Sequence, residues 1–149
     1  MKTKSLLILA CALFSAPLMA AEGLMRVASP YSVDDTANRL EQVLKAKGMT
    51  VFTRVRHSDA AAAVGVALRP TQLIIFGNPK VGSPLMACAP TVAIDLPQKA
   101  LIWKDADGKV WIGYNDPQWL KQRHAIEGCD PVLKKIGGAL SKLTAAAVK

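Results

Sequence analysis

The side chains that could act as nucleophiles, bases or metal ligands are two histidines and a pair of cysteines: His57, His124, Cys88 and Cys129. A catalytic cysteine needs its thiolate beside a base, and His124 lies five residues before Cys129. A predicted helix end at Gly128 separates the two, and the sequence has no Cys-x-x-Cys pair. We therefore assign no catalytic residue. A thiol- or histidine-dependent enzyme or redox protein that uses Cys88, Cys129 or His124 is kept as an alternative hypothesis.

The simplest state of Cys88 and Cys129 in an oxidising compartment is a single disulfide. Such a bond would close a long loop and stabilise the fold by roughly 2–4 kcal/mol. Two buried free thiols are the alternative. Reduced thiols could join a histidine around Cu(I) or Zn²⁺, which makes a metal carrier a minor hypothesis. Metal sites require several ligands together and neither histidine belongs to a spaced ligand motif, so we predict no metal site and no cofactor.

Three residues are candidate ligand-binding positions: His124, Asn78 and Lys80. His124 is a candidate because histidine is the residue type suited to switching its charge in the physiological range, although its ring could instead interact with the carbonyl groups at a helix C-terminus. Asn78 and Lys80 lie in a turn before a predicted helix, where backbone N–H groups and a lysine could hold an anion. In the alternative interpretation, Asn78 only shapes the turn and Lys80 is solvated.

The first twenty residues have the pattern of a cleavable secretory signal peptide. Two lysines precede the apolar run Leu6–Phe14, and small residues follow as far as Ala20. The apolar run is much shorter than the ~20 residues that span a bilayer. We therefore predict cleavage near Ala20, a periplasmic chain over residues 21–149 that forms a single domain, and no transmembrane segment.

The net charge indicates which classes of partner the predicted exported chain would bind. Removing residues 1–20 takes away two of the 19 basic residues and none of the 11 acidic ones, so the net charge falls from +8 to +6. An exported protein meets little nucleic acid, so we predict no nucleic-acid binding. Anionic envelope surfaces, acidic proteins or small anions are the partners that this charge favours. Alternatively, the scattered lysines and arginines are simply solvated.

Helix and strand patterns alternate along the rest of the chain. Apolar residues recur at helical spacing after Ser32, which indicates a helix. They alternate with polar residues over Met49–Arg56, which indicates a strand. An Asp-Gly turn between two strand-like runs is typical of a hairpin. The predicted order is strand 24–29, helix 32–47, strand 49–56, short helix 59–64, strand 72–77, a helix from Ser83, hairpin strands 99–104 and 109–114, and helices 117–125 and 131–144. This order predicts an α+β fold with one largely antiparallel sheet and helices packed on one face.

Finer expectations concern helix caps, strand faces and aromatic residues. Four side chains are predicted to cap helices: Ser32, Ser58, Asp116 and Asp130. In the second strand, simple alternation places Val51, Thr53 and Val55 on one face and both arginines, Arg54 and Arg56, on the other. The tryptophans could line an apolar pocket, although such residues usually belong to the core or to a subunit interface: Trp103, Trp111 and Trp119.

Several strings, in this order and spacing, resemble the family called domain of unknown function 302. They are Tyr31-Ser32-Val33, Phe76-Gly77-Asn78-Pro79-Lys80, Ser83-Pro84-Leu85-Met86, Asp95-Leu96-Pro97 and Tyr114-Asn115-Asp116-Pro117 followed by Arg123-His124. The resemblance covers roughly residues 25–126. It implies a curved sheet with helices, similar to the arrangement of TATA-binding protein, and self-association. It implies no activity, because the family has no established one.

Together these observations predict an exported binding or interaction module. We expect a periplasmic homodimer that holds a small apolar or anionic molecule, or an envelope protein. The prediction depends on the export pattern, the size of one domain, the basic charge and the lack of a catalytic motif.

Overall fold

The computed structural model describes residues 22–149, so the predicted signal peptide lies outside the described residues. The elements are β1 (Leu24–Ser29), α1 (Val33–Ala46), β2 (Thr50–Arg56), α2 (His57–Ala63), β3 (Thr71–Gly77), α3 (Pro79–Cys88), a 3₁₀ helix (Pro90–Ile94), β4 (Gln98–Lys104), β5 (Val110–Asn115), α4 (Pro117–Arg123) and α5 (Asp130–Ala147). The strands form one antiparallel sheet in the order β1-β5-β4-β3-β2. The predicted α+β class and the single antiparallel sheet are confirmed.

The core lies between one face of the sheet and the helices α1 and α5. Ile74, Ile102 and Ile112 occupy neighbouring strands on this face and are completely buried. They are covered by the apolar stripe of α1, which includes Leu40 and Leu44. The helix begins as predicted, because the Oγ of its N-cap Ser32 accepts a hydrogen bond of 3.1 Å from the Asp35 amide.

A bulge in β2 makes the predicted face of Val51 wrong, whereas Thr53 and Val55 lie on the face opposite to Arg54 and Arg56, as predicted. Val51 lies opposite Phe76, whereas Thr53 lies opposite the adjacent Ile75, so Phe52 is an extra residue in the ladder. The extra residue reverses the alternation, and Val51 therefore shares the helix-covered face with Arg54. Hairpin strands that lack such a bulge, β4 and β5, follow simple alternation.

Arg54 is accommodated on this face by polar partners from α1 and β3. Its guanidinium donates to Gln72 Oε1 at 2.6 Å, to Asn38 Oδ1 at 2.7 Å and to Asp34 Oδ1 at 3.2 Å. Only 14% of the Arg54 side chain is exposed. The charge is tolerated there because it is paired and hydrogen-bonded. The network also attaches α1 to the edge of the sheet.

Two of the predicted caps are wrong. Ser58 lies inside α2, where its Oγ accepts the Thr71 amide at 3.4 Å, and α2 has no side-chain cap. Asp130 is the first residue of α5, after the N-cap Cys129, and pairs with Lys121 instead. Asp116 caps α4 as predicted, because its carboxylate accepts the Gln118 amide at 3.0 Å.

The helix α3 starts one turn earlier than predicted from Ser83-Pro84. Asn78 is its N-cap and accepts a hydrogen bond of 2.9 Å from the Lys80 amide, and Pro79 occupies the first turn. These two residues supply a complete start signal before Ser83. Pro84 consequently lies inside the helix.

Candidate ligand-binding cavity

A largely apolar cavity of about 340 Å³ lies at the end of the sheet where β3 leaves it and α3 begins. One wall is formed by α5, through Ile136, Leu140 and Leu143, and another by α3. The remaining walls come from the start of β2 and from the segment that leads into β4. The other lining residues are Met49, Phe52, Phe76, Gly77, Asn78, Pro79, Val81, Gly82, Ser83, Met86, Leu96, Pro97, Gln98 and Ala139. Its volume is within the range of small-ligand sites in proteins.

Two rings flank a glycine at the rim of the cavity. A Cβ placed on Gly77 would lie 3.4 Å from Pro97 Cβ and 3.6 Å from Phe52 Cε2. The missing side chain of Gly77 therefore leaves a gap between the Phe52 and Pro97 rings. Phe52 is 54% exposed even though it lines the cavity. It reaches this position because it is the bulge residue of β2, and bulges redirect a side chain out of the regular pleat.

Of the two predicted residues in the turn, Asn78 lies at the cavity and Lys80 is exposed beside it. The amide group of Asn78 is engaged, since its Oδ1 accepts from the Lys80 amide and its Nδ2 donates to the Gly48 carbonyl at 3.2 Å. These two bonds shape the turn, as the alternative interpretation of Asn78 expected. Asn78 also contributes one of the few polar groups to the cavity wall.

Within residues 22–149, His124 has no hydrogen bond to Asn78 or Lys80. It lies at the C-terminal end of α4 and binds the 3₁₀ helix and the residue that follows it. Its Nε2 is 2.6 Å from Asp95 Oδ2, and its Nδ1 is 3.1 Å from Thr91 Oγ1. A neutral imidazole satisfies both contacts if Nε2–H donates to the carboxylate and Nδ1 accepts the hydroxyl proton. The expected interaction with the last carbonyls of the helix is replaced by these side-chain contacts.

A hydroxyl, an imidazole and a carboxylate in this order could activate the hydroxyl as a nucleophile. Here the His124 side chain is only 6% exposed, which leaves little of the imidazole accessible to a substrate. The Arg123 guanidinium lies 3.4 Å from the same Asp95 oxygen. We therefore interpret the group as a polar clamp that holds the segment around Asp95 in place.

The structure brings Cys88 and Cys129 together as a disulfide-like pair with their Cα atoms 6.5 Å apart. This separation is within the range that disulfides bridge. The pair connects the end of α3 to the start of α5. The cysteine pair and His124 hold the segment 88–95. Met86 precedes this segment and Leu96 follows it, and both residues line the cavity. Both attachments therefore fix one cavity wall.

The other predicted chemical groups do not come together. His57 is exposed at the start of α2, and within residues 22–149 no cysteine–histidine hydrogen bond is present. Nor do three or more histidine, cysteine or carboxylate side chains in that part of the chain approach each other as metal ligands would. In this part of the chain, no group of side chains is arranged as the metal-carrier hypothesis would require.

The tryptophans lie away from the cavity. Trp103 and Trp111 are opposite each other on β4 and β5, on the face of the sheet that points away from the core. The indole N–H of Trp111 donates to Asp105 at 2.7 Å and lowers the pKa of that carboxyl. Trp119 packs against the backbone of Gly23. None of the three lines the cavity, so the pocket role considered for them is wrong.

Most of the cavity residues were not among the predicted site residues. Phe52, Gly82, Leu96 and Pro97 carry no chemical signal, because an apolar wall is indistinguishable from core in a single sequence. One usable hint was the Val51-Phe52-Thr53 run, where three strand-forming residues leave the register ambiguous. A bulge there could have been considered, but its position depends on pairing with β3.

Comparison with known proteins supports the resemblance in the sequence. A sequence model of the family described as Domain of unknown function DUF302 matches residues 25–143. The fold is also similar to the crystal structure of an uncharacterized conserved protein DUF302 from Bacillus stearothermophilus. That likeness has a TM-score of 0.69, 24% sequence identity, and coverage of 86% of this chain and 97% of the other. At this identity it shows a shared fold.

Two similar proteins are longer and are named as channels. The Fluoride-specific ion channel FluC 1 of Brucella suis biovar 1 (strain 1330) is 50% identical over 104 residues, which are 70% of this chain and 41% of that protein. The protein of the same name from Brucella abortus biovar 1 (strain 9-941) has the same identity over 38% of its length. This chain thus spans about two-fifths of these relatives. Across residues 22–149, no helix is long and apolar enough to cross a membrane.

Proposed function

We propose that this chain, which belongs to the family Domain of unknown function DUF302, is a binding module whose ligand occupies the cavity between β3, α3 and α5. The single observation that carries the proposal is the cavity itself, a space of about 340 Å³ with largely apolar walls. A well-formed apolar cavity with few polar groups is the usual form of a small-molecule site. The apolar ligand expected from the sequence fits these walls.

The walls are held by contacts that make the cavity a stable feature of the fold. Leu140 and Leu143 belong to the buried stripe of α5, and Phe76 belongs to the core face of β3. The opposite wall is attached through the Cys88–Cys129 pair and His124. A preformed site lowers the ordering cost of binding. Phe52 is a large apolar side chain of the lining that is exposed, so ligand entry past its ring is the route that the geometry favours.

Filling the cavity tests this function. A Cβ on Gly82 would lie 3.8 Å from Leu96 Cδ1, an ordinary contact distance, so Gly82→Leu projects its larger side chain into the space without a backbone clash. We expect a neutral fluorescent probe, N-phenyl-1-naphthylamine, to bind the wild type and to lose at least tenfold in affinity in Gly82→Leu. Gly138→Ala is the matched control, because its added Cβ meets nothing within 4 Å. Unchanged binding in Gly82→Leu, with retained folding, would contradict the proposal.

A second candidate function comes from the relatives named as fluoride channels. The matched residues occupy about two-fifths of those proteins. In the relatives, a domain similar to this chain is therefore joined covalently to the other three-fifths of a protein named as a fluoride channel. We propose that the present chain serves as a partner of a fluoride channel. A strain that lacks the chain should then grow less well than its parent in millimolar fluoride, and a plasmid copy should restore growth. Equal fluoride tolerance of the two strains would refute this candidate.

We also propose that the working protein is a periplasmic homodimer. The basic, apolar and small residues of positions 1–20 support export. The half-buried side chains of Leu101, Trp103 and Trp111 on the outer face of the sheet support self-association. Native and denaturing mass spectrometry of the exported protein should show a chain without residues 1–20 and twice its mass in the native spectrum. A full-length monomer in the cytoplasm would overturn both parts.

A further inference from the structure

Lysines are frequent in the chain segments that line the cavity described above. Each of the chain segments that line it has a lysine within two residues of a lining position: Lys47, Lys80, Lys99, Lys134, Lys135 and Lys142. Among the described residues, Asp95 is the single carboxylate equally close in sequence to a lining position. It is 13% exposed and already engaged by His124 and Arg123. The chain segments that form the cavity walls are therefore rich in basic residues.

Lys99 is the lysine whose ammonium group has a defined position beside the cavity. Its Nζ donates to the Asp95 carbonyl and to the Pro97 carbonyl, each at 3.1 Å. Pro97 lines the cavity and flanks the gap above Gly77. An ammonium group has three N–H donors, so one donor of Lys99 remains for another acceptor. Two neutral carbonyl groups fix the cation, and within residues 22–149 no carboxylate forms an ion pair with it.

We propose that the natural ligand is an amphipathic anion, with an apolar chain in the cavity and a carboxylate head beside Lys99. This inference rests on the proposed binding function and names its ligand class. A carboxylate would receive a charge-assisted hydrogen bond from Lys99 and would be attracted by the exposed Lys80 nearby. A neutral head gains no such bond, and a cationic head is repelled. The apolar and the anionic ligands expected from the sequence are thus two ends of one molecule.

Three eight-carbon probes distinguish the contribution of the apolar chain to the affinity from the contribution of the head group. Octanoate, 1-octanol and octylammonium share one apolar chain and differ in head charge. By calorimetry at neutral pH and low salt, we expect octanoate to bind the wild type about 5- to 20-fold more tightly than octanol, and octylammonium to bind most weakly. The octanoate affinity should fall as NaCl is raised, because salt screens exposed charges, whereas the octanol affinity should stay constant.

The variant Lys99→Met keeps the length of the side chain and removes its charge. It should lose most of the preference for octanoate over octanol and keep the octanol affinity of the wild type. Lys109→Met, in the hairpin turn between β4 and β5, is the matched control and should keep the preference for octanoate. If Lys99→Met does not fold, the salt dependence of the wild type still decides the question.

The outcomes distinguish the two proposals. Failure of all three probes to bind would refute the cavity as a ligand site and the present inference with it. Equal binding of all three, or tightest binding of octylammonium, would leave the cavity as a site and overturn the anionic head group. A preference for octanoate that is undiminished in Lys99→Met would overturn the role of Lys99.

Discussion

At the scale of single residues, His124 is the polar side chain that matters most for the cavity wall. Replacement by alanine would leave the nearly buried carboxylate of Asp95 with Arg123 as its remaining partner. Loss of a partner to a buried charged group costs about 1–3 kcal/mol. We therefore expect His124→Ala to lower the free energy of unfolding by this amount in urea denaturation.

The matched control for this prediction is His57→Ala. His57 is exposed, and substitutions at such positions usually change stability by less than about 0.5 kcal/mol. Equal stability of both variants would show that the hydrogen bonds of His124 contribute nothing to the fold. A variant of His124 that keeps its stability but loses ligand binding would instead point to a direct role in the site.

Gly138 offers a residue-scale test of helix α5. It lies inside the helix, and an added Cβ there meets nothing within 4 Å. Glycine is less favourable than alanine in a helix interior by about 0.8–1 kcal/mol. Gly138→Ala should therefore raise the free energy of unfolding by nearly this amount in a denaturant titration. A destabilised variant would mean that a neighbour, such as a second copy of the chain, requires the glycine.

At the scale of elements, the contact between α1 and the sheet edge makes stability depend on pH. The Gln72 amide and the guanidinium groups of Arg56 and Arg54 hold the pKa of Asp34 below its ordinary value of 3.8. A lowered folded-state pKa contributes stability above the unfolded pKa, and this contribution is lost as pH falls through the folded pKa. Since Asp34 is well exposed, we expect an effect of less than about 1 kcal/mol.

This prediction is checked by following urea denaturation from pH 6 to pH 3. The Asp34→Asn variant should lose less stability over this range than the wild type, because it lacks the titrating carboxylate. Asp107→Asn provides the control, since within residues 22–149 Asp107 belongs to no ion pair. Identical pH profiles for Asp34→Asn and the wild type would contradict the assignment.

Elements governed by local signals could be predicted from the sequence. The helix α1 has a cap, an acidic first turn and an apolar stripe, and β1 and the β4–β5 hairpin have clear boundaries, so all were predicted to within about two residues. The bulge at Phe52 could not be predicted in the same way, because it depends on pairing with β3. The cavity was missed for a related reason: its walls come from four separate segments that only the tertiary fold brings together.

At the scale of the whole molecule, two attachments join the α3–β4 connection to the C-terminal helices. Thr91 and Asp95 bind His124, while Cys88 pairs with Cys129 across 41 positions of sequence. Both keep Leu96 and Pro97 against the rest of the cavity wall. The outer face of the sheet has no part in these contacts. The proposed ligand site and the proposed self-association surface therefore lie on different parts of the molecule, and a change at one need not disturb the other.

The Cys88–Cys129 pair gives the last prediction, which concerns the whole chain. A crosslink over this span restricts the unfolded chain and stabilises the fold by roughly 2–4 kcal/mol. Dithiothreitol should therefore lower the free energy of unfolding of the purified protein by this amount. It should also weaken binding of the naphthylamine probe severalfold, because the α3 end of the cavity wall is released. The double variant Cys88→Ser, Cys129→Ser should reproduce both changes and respond no further to the reductant. The opposite outcome would be equal stability with and without dithiothreitol, together with two titratable thiols in the purified protein. It would show that the pair is reduced in its working state and that the His124 contacts alone hold the cavity wall.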